Sequence, residues 1–409
     1  MTATHESLSH NQAIALLQDM AQPLNRRETQ PLAACYGRIL AEDLVAQRDV
    51  PAFDNSAMDG FALGPASCEN PLIYQVVGTT FAGDNSGPTL MAGEARRIFT
   101  GAPVPGGCVG VVPQEDCQFN EESVTLSAAV HAGANIRQRG EDVRAGATVL
   151  ARGTVLRAPE VAQFAAEGRV EIEVYAPVKV GVFSTGNELV QPGAQAEAGQ
   201  IYDANRYLLF GALNKLPVEL VDLGILPDDG AAVRSALHEA ASSFDVLLTS
   251  GGAGQGKADY VSAAIAELGE LNLWHLAIKP GRPFMAGQIG ACLLLGLPGN
   301  PVAALVSFLT YARPVLLALA GAGFIQAEPL LVPAGFQIGN RKTGRREFLR
   351  ARLLRNAEGQ QVAEKYARDG SALLSSLSFA EGLIIIEEEI AEVRAGDLLP
   401  FVSFAALGL

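Results

Sequence analysis

From residue 177 to residue 268, apolar strand-like runs alternate with helical segments, and this alternation constrains the fold more than any other feature of the sequence. The runs Lys179–Phe183, Glu219–Leu223 and Asp245–Thr249 are rich in Val, Ile and Leu, and a helical segment follows each of them. Continuous apolar strands between helices form parallel sheets that are covered on both faces. We therefore expect a doubly wound, mostly parallel α/β domain that binds ligands beyond the carboxyl ends of its strands.

A chain of 409 residues is too long for one hydrophobic core, and its sequence character changes along its length. Residues 9–45 are expected to be helical, short β-like runs broken by Gly and Pro follow Gln47–Pro51, and helical sequence returns at Ala158–Glu167. After residue 330 the texture is strand-like again. The expected domains are a discontinuous helical linking domain (1–46 plus 141–176), an inserted β-rich module (47–140), the α/β domain (177–328) and a small C-terminal β domain (329–409).

The acidic composition limits the partners of this protein. A formal net charge of −14 disfavours nucleic acid and anionic membranes, because most of the surface would repel phosphate, so an anionic substrate needs a local basic site. The apolar segment Pro301–Phe324 is interrupted by Arg313 and Pro314, and we expect two buried helical segments and no membrane span. Met1–Glu6 lacks the features of a secretory signal, so we expect a cytoplasmic protein.

A glycine-rich loop, Gly251–Asp259, directly follows the apolar run that ends at Ser250. Glycines after a buried strand let backbone N–H groups crowd an anion, and the next helix adds its positive dipole end. A plain strand-to-helix turn is the alternative. The loop also nearly matches the phosphate loop of nucleotide hydrolases, but Ala258 follows Lys257 where that motif needs a metal-binding hydroxyl.

Four acidic residues follow predicted strands or begin predicted helices: Glu188, Asp203, Asp228 and Asp259. Any one of them, taken alone, could instead be the N-cap of a helix. Together they could ring one crevice and bind Mg²⁺, which would bridge phosphate oxygens. The five cysteines and five histidines show no ligand spacing, so zinc and iron–sulfur sites are not expected.

Two cationic groups stand out in this acidic chain. Lys279 and Arg282 lie on a proline-stiffened loop, which reduces the entropy lost in gripping a small anion. Seven of the fifteen residues Arg341–Arg355 are Lys or Arg, and for most of these a solvated strand face is expected. The turn-rich segments Val50–Phe61, Thr100–Pro105 and Ile136–Asp142 would not identify a function alone, since ordinary turns and solvated loops have similar compositions.

Taken together, these segments resemble the MoeA and gephyrin E-domain family of molybdopterin molybdenumtransferases. The matching segments run in order over nearly the whole chain: Phe53–Gly60, Thr100–Pro105, Arg139–Asp142, Ser184–Glu188, Gly251–Asp259, Lys279–Gly281 and Leu297–Pro301. The resemblance implies the last step of molybdenum cofactor synthesis. In that step adenylylated molybdopterin and molybdate give the molybdenum-loaded cofactor and AMP, with Mg²⁺ as the divalent metal.

The resemblance also implies site residues and an assembly. It implies Mg²⁺ ligation by Glu188, Asp228 and Asp259, and molybdate binding by Lys279, Arg282, Arg350 and Ser371. The implied catalytic residues are Asp59, Thr100, Asp142, Glu188, Asp228 and Asp259. The implied substrate-binding residues are Arg137, Gly251, Gly252, Gly254, Gly256, Lys279, Arg282, Pro298, Gly299, Asn300, Pro301, Arg350 and Ser371. Family members look like elongated homodimers in which Asp59 and Thr100 of one subunit complete the neighbour's cleft, and other cofactor-synthesis proteins are further partners that the resemblance allows.

The sequence departs from the family pattern at positions that matter for anion binding. Gly254 and Ala303 stand where the family usually has hydroxyl residues, and His275 and Arg282 stand where Lys is common. Each lost hydrogen bond to a charged ligand costs about 1.5 to 3 kcal/mol. A divergent relative that prefers another oxyanion such as tungstate, or a non-catalytic pterin-binding scaffold, therefore remains an alternative. A phosphate-loop nucleotide hydrolase is a third hypothesis.

Overall fold

The structure, a computed structural model, describes residues 7–252 and 260–409 without the side chains of Leu273 and Trp274. The chain divides by its contacts into two units. The main unit comprises Met1–Ala41, Gly153–Arg157 and Glu173–Leu409, and the inserted unit comprises Glu42–Arg152 and Ala158–Ile172.

The helices within the described residues are α1 (His10–Met20), α2 (Ala158–Ala166), α3 (Asn205–Leu213), α4 (Gly230–Ala241), α5 (Tyr260–Leu268), α6 (Pro301–Ser307), α7 (Arg313–Leu319) and α8 (Ser375–Phe379). The first strands are β1 (Arg27–Pro31), β2 (Leu44–Val45), β3 (Asn55–Ser56), β4 (Gly60–Leu63), β5 (Ile73–Thr80), β6 (Glu94–Ile98), β7 (Gly110–Pro113), β8 (Cys117–Phe119), β9 (Ser123–Leu126), β10 (Ile136–Arg137), β11 (Thr148–Leu150) and β12 (Glu171–Tyr175). The later strands are β13 (Val178–Thr185), β14 (Leu189–Val190), β15 (Ile201–Tyr202), β16 (Val218–Leu226), β17 (Val246–Ser250), β18 (Glu270–His275), β19 (Ile278–Lys279), β20 (Pro283–Ile289), β21 (Cys292–Leu297), β22 (Leu330–Pro333), β23 (Arg346–Arg355), β24 (Gln361–Lys365), β25 (Gly382–Ile386) and β26 (Leu398–Ser403).

The central sheet of the main unit has the strand order β16-β13-β17-β21-β20-β18 among the described residues. Its first four strands are parallel, whereas β20 and β18 are antiparallel. Alternate residues of β17 enter different apolar clusters: Val246 and Leu248 pack with α1, α3, α6 and α7, and Leu247 packs with α4 and α5. Both faces are thus covered by helices. The α/β class is confirmed, and the antiparallel strands β18 and β20 were not predicted.

The expected helix over residues 9–45 is wrong beyond Met20. Helix α1 begins as expected, with Ser9 as its N-cap in a capping box with Gln12. Pro23 and Asn25 then prevent its continuation, because proline disfavours helical backbone in the residue before it and Asn25 adopts a φ of +54°. Strand β1 follows.

The apolar helical segment Pro301–Leu319 lies in the core of the main unit. It is long and apolar enough to cross a membrane, but 89% of its most apolar window is buried inside the protein, so the feature is weak evidence for a membrane span. Helices α6 and α7 are joined without a break by the π-helical turn Phe308–Ala312. The two expected helical segments therefore form one continuous run, in which the Arg313 guanidinium donates to the Leu407 carbonyl (3.0 Å).

Two further sheets complete the two units. The C-terminal sheet of the main unit has the order β19-β23-β25-β26-β22, and β24 pairs with β23. Strand β19 precedes β20 in the chain but pairs parallel with β23, which sets Lys279 opposite Glu347. The sheet of the inserted unit has the order β7-β4-β6-β5-β9-β8. It curls into a half-barrel, and Phe61 on β4 and Phe119 on the edge strand β8 accordingly have their rings 5.0 Å apart.

His10 on α1 should make the stability of the protein depend on pH. Burial, with a smaller contribution from the charge of Arg346, lowers the pKa of His10 from its usual 6.5 to about 4, while Glu388 opposes the shift. Its Nδ1 lies 3.0 Å from the Tyr311 hydroxyl. Between pH 6.5 and about 4 the unfolded state binds more protons at this site, so the free energy of unfolding should fall as the pH falls, by up to about 3 kcal/mol.

Urea unfolding from pH 7 to pH 4 checks this expectation. The variant His10→Gln keeps a polar group near Tyr311 but does not titrate, so its unfolding free energy should fall less steeply than that of the wild type. Parallel pH curves for the two proteins would show that His10 does not carry the dependence.

Candidate active site

The loops after four parallel strands leave the central sheet at the same edge. The register sets Thr185 of β13 opposite Leu226 of β16, and Ser184 opposite Ser250 of β17. Ser250 in turn lies opposite Leu297 of β21. The segments that carry Glu188, Asp228, the glycine-rich loop and Pro298–Pro301 therefore begin side by side at the carboxyl ends of the strands, where ligands bind in open α/β sheets.

The first two of these loops are joined by reciprocal hydrogen bonds. The Asn187 amide donates to Asp228 Oδ2 (3.0 Å), and the Asp228 amide donates to Asn187 Oδ1 (3.4 Å). The N-cap of α4 is the next residue, Asp229, whose Oδ1 accepts from the Ala232 amide. Asp228 is thus not a helix cap, and its carboxylate lies beside the exposed Glu188 loop.

Asp203 is a structural residue, as the capping alternative predicted. It is 2% exposed, its Oδ1 accepts from the Arg206 amide (3.2 Å), and its Oδ2 lies 3.7 Å from Nη1 of the fully buried Arg206. The carboxylate therefore satisfies a backbone N–H in the first turn of α3.

The glycine-rich loop begins with two residues that need glycine. Gly251 and Gly252 have φ values of +95° and +68°, and a Cβ on Gly252 would lie 2.9 Å from Val261 Cγ2. The Gly251 amide donates to the Leu297 carbonyl (3.1 Å), which ties this loop to the end of β21. Gly254, Gly256 and Asp259 lie outside the described residues.

Asn205, which the sequence analysis did not single out, connects two of the loops. Its Nδ2 donates to Ser250 Oγ (2.7 Å) and to the Gly299 carbonyl (2.6 Å). Ser250 Oγ also lies 3.4 Å from the Pro298 carbonyl. An Asn at the start of a predicted helix is usually interpreted as an N-cap. The sequence therefore did not indicate that Asn205 would bond to residues far away in the chain.

A cavity of about 370 Å³, here called the basic cavity, lies between the central sheet and the C-terminal sheet of the main unit. The described residues that line it include four cations and one carboxylate: Lys279, Arg282, Arg345, Arg350 and Asp369. It also collects many of the residues expected to bind substrate. Those in its lining are Lys279, Arg282, Pro298, Gly299, Asn300, Arg350 and Ser371, whereas Pro301 begins α6.

Arg350 is held firmly in the wall of the basic cavity. Its side chain is buried, its Nε donates to Ser376 Oγ (3.0 Å), and its Nη2 donates to the carbonyls of Gly370 (3.2 Å) and Arg368 (3.4 Å). Burial lowers the pKa of Arg350 from its usual value, although a guanidinium remains charged. The solvated strand face was expected for most of the cations in Arg341–Arg355, and four of the seven are exposed. Arg350 is an exception, and so is Arg341, which is buried and donates to the Glu387 carbonyl.

Other residues in the wall of the basic cavity are tied to distant parts of the chain. Lys279 Nζ lies 3.4 Å from Glu347 Oε2, as the pairing of β19 with β23 requires. Asn300 Nδ2 donates to Ser371 Oγ (3.0 Å), and the Val302 amide donates to the Ser371 carbonyl. Such ties preorganise a site and reduce the entropy cost of binding an anion.

In the inserted unit the three turn-rich segments meet. Asp59 Oδ1 accepts from both the amide and the hydroxyl of Thr100 (2.8 Å each). These hydrogen bonds, with the charge of Arg97, hold the pKa of Asp59 below its usual value, so the carboxylate is ionised at neutral pH. Arg137 on β10 pairs with Asn55 on β3 and is exposed, as is Asp142, whose amide donates to the Val50 carbonyl.

The expected metal ligands can be only partly placed, because Asp259 lies outside the described residues. Glu188 and Asp228 offer carboxylate oxygens at the carboxyl edge of the sheet, and such ligands suit Mg²⁺. Among the described residues, three carboxylates close enough to share an ion occur at Glu387, Glu388 and Glu389, where Arg346 pairs with two of them. That cluster is explained by its ion pairs.

Comparison with known protein families covers almost the whole chain. Residues 8–168 match the MoeA N-terminal region (domain I and II), residues 181–318 match a probable molybdopterin binding domain, and residues 339–404 match the MoeA C-terminal region (domain IV). The matched segments contain the strand-end loops, the lining of the basic cavity and the Asp59–Thr100 pair.

Individual relatives are similar over the same length. The chain is 38% identical to a molybdopterin molybdenumtransferase of Haemophilus influenzae, with 91% of this chain and 93% of the relative covered. It is 34% identical to molybdopterin molybdenumtransferase 2 of Mycobacterium tuberculosis, with 95% and 97% covered. The crystal structure of a molybdopterin biosynthesis MoeA protein from Pyrococcus horikoshii superposes with a TM-score of 0.82 at 28% identity, covering 97% of this chain and all of that one. The protein therefore belongs to the MoeA family of molybdopterin molybdenumtransferases, enzymes of molybdenum cofactor biosynthesis.

Proposed function

We propose that this enzyme inserts molybdate into adenylylated molybdopterin and releases AMP in an Mg²⁺-dependent reaction. The observation that carries the proposal is the basic cavity, in which Lys279, Arg282 and Arg350 converge in a protein of net charge −14. A tetrahedral dianion suits guanidinium, ammonium and hydroxyl donors. Lys279, Arg282, Arg350 and Ser371 would hold molybdate, and the loops at Gly251 and Pro298–Pro301 would hold the pterin phosphate.

The carboxylates at the sheet edge would serve the nucleotide end of the substrate. Glu188 and Asp228, with Asp259, would hold Mg²⁺, which when bound supplies positive charge that stabilises the phosphoanhydride oxygens. Asp59, Thr100 and Asp142 would orient the phosphate and an attacking water, and Arg137 would contact its charge. The ionised Asp59, fixed by two hydrogen bonds from Thr100, would orient that water by accepting a hydrogen bond from it.

The assembly remains part of the proposal. We propose a cytoplasmic homodimer in which the inserted β-rich module of one subunit completes the cleft of its neighbour, with domains bounded at residues 46, 140, 176 and 328. Sedimentation would show whether the protein is a dimer. Asp59→Ala and Asp259→Ala proteins that are each inactive should then regain activity when mixed as heterodimers.

AMP release is the direct test of the reaction. Purified protein mixed with adenylylated molybdopterin, Mg²⁺ and molybdate should release AMP, and Asp259→Ala should abolish this release while leaving the dimer intact. The substitution should spare the fold because this carboxylate is expected to face a solvent crevice. Wild-type activity in Asp259→Ala would remove the carboxylate–metal proposal, and absence of AMP release by the wild type at any molybdate level would favour the pterin-binding scaffold.

One observation favours a second candidate, a relative with altered oxyanion preference. Ala303 lines the basic cavity at a position where the family usually has a hydroxyl donor. The cavity therefore offers one hydrogen bond fewer to an oxyanion. Titrating molybdate and tungstate separately in the AMP-release assay would decide between the two candidates.

A further inference from the structure

The half-barrel of the inserted unit has an open end that none of the expected roles uses. A cavity of about 400 Å³ lies there, lined by Phe61, Val76, Thr79, Arg97, Phe119, Asn120 and Glu121, and is here called the barrel-mouth cavity. Below it the half-barrel is filled by an apolar cluster that includes Phe61, Leu63 and Tyr74. The mouths of small barrels are common ligand sites, and a volume of this size suits a small molecule.

The walls of the barrel-mouth cavity present flat π surfaces. The guanidinium carbon of Arg97 lies 4.7 Å from the ring centroid of Phe119 and 5.4 Å from that of Phe61. Arg97 Nη2 donates to Gln114 Oε1 (3.0 Å), which fixes the plane of the guanidinium. Phe119 nevertheless remains 45% exposed. A purely structural alternative is that Arg97 only covers Phe61. That alternative explains the contact between these two residues, but it does not explain the exposed ring of Phe119 or the open cavity beside it.

The charges and polar groups of the cavity favour a ring over a phosphate. Its described lining has one cation, Arg97, and one carboxylate, Glu121, so there is no net positive charge to hold an anion. The hydroxyl of Thr79 and the carboxylate of Glu121 surround an aromatic wall. Asn120 Oδ1 accepts from the amides of Glu122 and Ser123, which fixes the turn that presents Glu121. Polar groups around aromatic faces are what planar nitrogen heterocycles require.

The cavity is connected to the Asp59–Thr100 pair within the same unit. The side-chain oxygen of Gln114 accepts a hydrogen bond from Arg97, and the backbone N–H of Gln114 donates to the Asp59 carbonyl (3.0 Å). Arg97 also belongs to β6, two residues before Phe99 and three before Thr100. A ring bound at the cavity would therefore lie near the end of the inserted unit that carries these two residues.

We propose that the barrel-mouth cavity binds a planar nitrogen heteroaromatic ring, stacked on Phe119 and Arg97, and that this ring is the pterin or the adenine of the adenylylated substrate. The identification of the ring rests on the proposed function. The existence of a stacking site does not, since it depends only on the geometry of the cavity.

Ring binding by the full-length protein tests the proposal without turnover. A fluorescent pterin and AMP are titrated separately, by fluorescence and by calorimetry. Phe119→Ala should weaken binding of at least one of the two by about tenfold or more, the effect expected for losing one stacking contact. Phe119→Leu keeps apolar bulk on β8 but removes the π face, and it should show a similar loss even if Phe119→Ala perturbs the fold.

The matched control is Phe81→Ala, which truncates a comparably exposed Phe of the same unit that is outside the cavity lining. It should bind both probes as the wild type does. Unchanged affinities in both Phe119 variants, an equal loss in Phe81→Ala, or no binding of either probe by the wild type would overturn the proposal. AMP release that is the same in wild type and Phe119→Leu would overturn the assignment of the ring while leaving the proposed reaction intact. Phe119-dependent binding without any AMP release by the wild type would overturn the proposed reaction, and with it the identification of the ring, while leaving the stacking site intact.

Discussion

Replacing Arg350 with Ala is expected to lower kcat/KM for molybdate in the AMP-release assay by about 100- to 1,000-fold, the usual effect of removing one preorganised charge-stabilising donor. The guanidinium lines the basic cavity and is fixed by Ser376 and by the carbonyls of Arg368 and Gly370. It would therefore bind the anion without having to reorient. Its removal also leaves the buried Ser376 hydroxyl and the carbonyls of Arg368 and Gly370 without this donor, so a lower thermal unfolding midpoint is expected as well.

Two variants separate the role of Arg350 in the cavity from a general effect on β23. Arg350→Lys keeps the charge but replaces a planar fork with a single ammonium, so it should recover only part of the activity. Arg352→Ala is the matched control, since Arg352 lies on the same strand, is exposed and pairs with Glu364. An Arg350→Ala enzyme with the molybdate dependence of the wild type would refute the assignment of the cavity.

Asn205→Ala should lower kcat by about 100-fold, because an error of about 1 Å in the placement of reacting groups has this effect. The amide of Asn205 joins Ser250, at the start of the glycine-rich loop, to Gly299 through hydrogen bonds of 2.7 and 2.6 Å. Without it both partners lose a donor, and the two loops can separate. Asn205 is a positioning residue in this account, so the dissociation constant for molybdate should change much less than kcat.

Two further variants test whether Asn205 acts as a hydrogen-bond donor. Asn205→Asp keeps the shape but places a carboxylate against the Gly299 carbonyl, so it should be no better than Asn205→Ala. Asn214→Ala is the control, because Asn214 is an exposed residue at the other end of α3. If Asn205→Asp turned over as fast as the wild type, the donor role would be wrong.

Local patterns in the sequence were sufficient to predict the parallel strands and the loops that follow them. Apolar runs such as Asp245–Thr249 indicate buried strands, and their alternation with helices indicates that the strands are parallel. The carboxyl ends of parallel strands must meet at one edge of the sheet. The same reasoning placed Glu188 and Asp228 near each other, and the structure joins their loops through Asn187. The positions of Gly254, Gly256 and Asp259 stay predictions, as do the roles of all the site residues.

Long-range pairing could not be predicted in the same way. The partnership of Lys279 with Glu347 depends on two residues of β19 that join a distant strand, and a two-residue strand has no periodicity to recognise. Arg345 and Asp369 also line the basic cavity, and no local pattern in the sequence indicated that they would. The resemblance singled out Arg350, but its burial could not be predicted from charge density, because the carbonyl acceptors that permit the burial come from elsewhere in the chain.

The interleaving of β19 restricts how this enzyme can be recombined with its homologues. In chain order β19 falls between β18 and β20 of the central sheet, yet its hydrogen bonds go to β23 of the C-terminal sheet. A chimera with one crossover near residue 329 would set β19 of one parent against β23 of the other and mix the walls of the cavity. Transplanting oxyanion selectivity intact would require residues 278–283, 298–303 and 345–371 to be exchanged together.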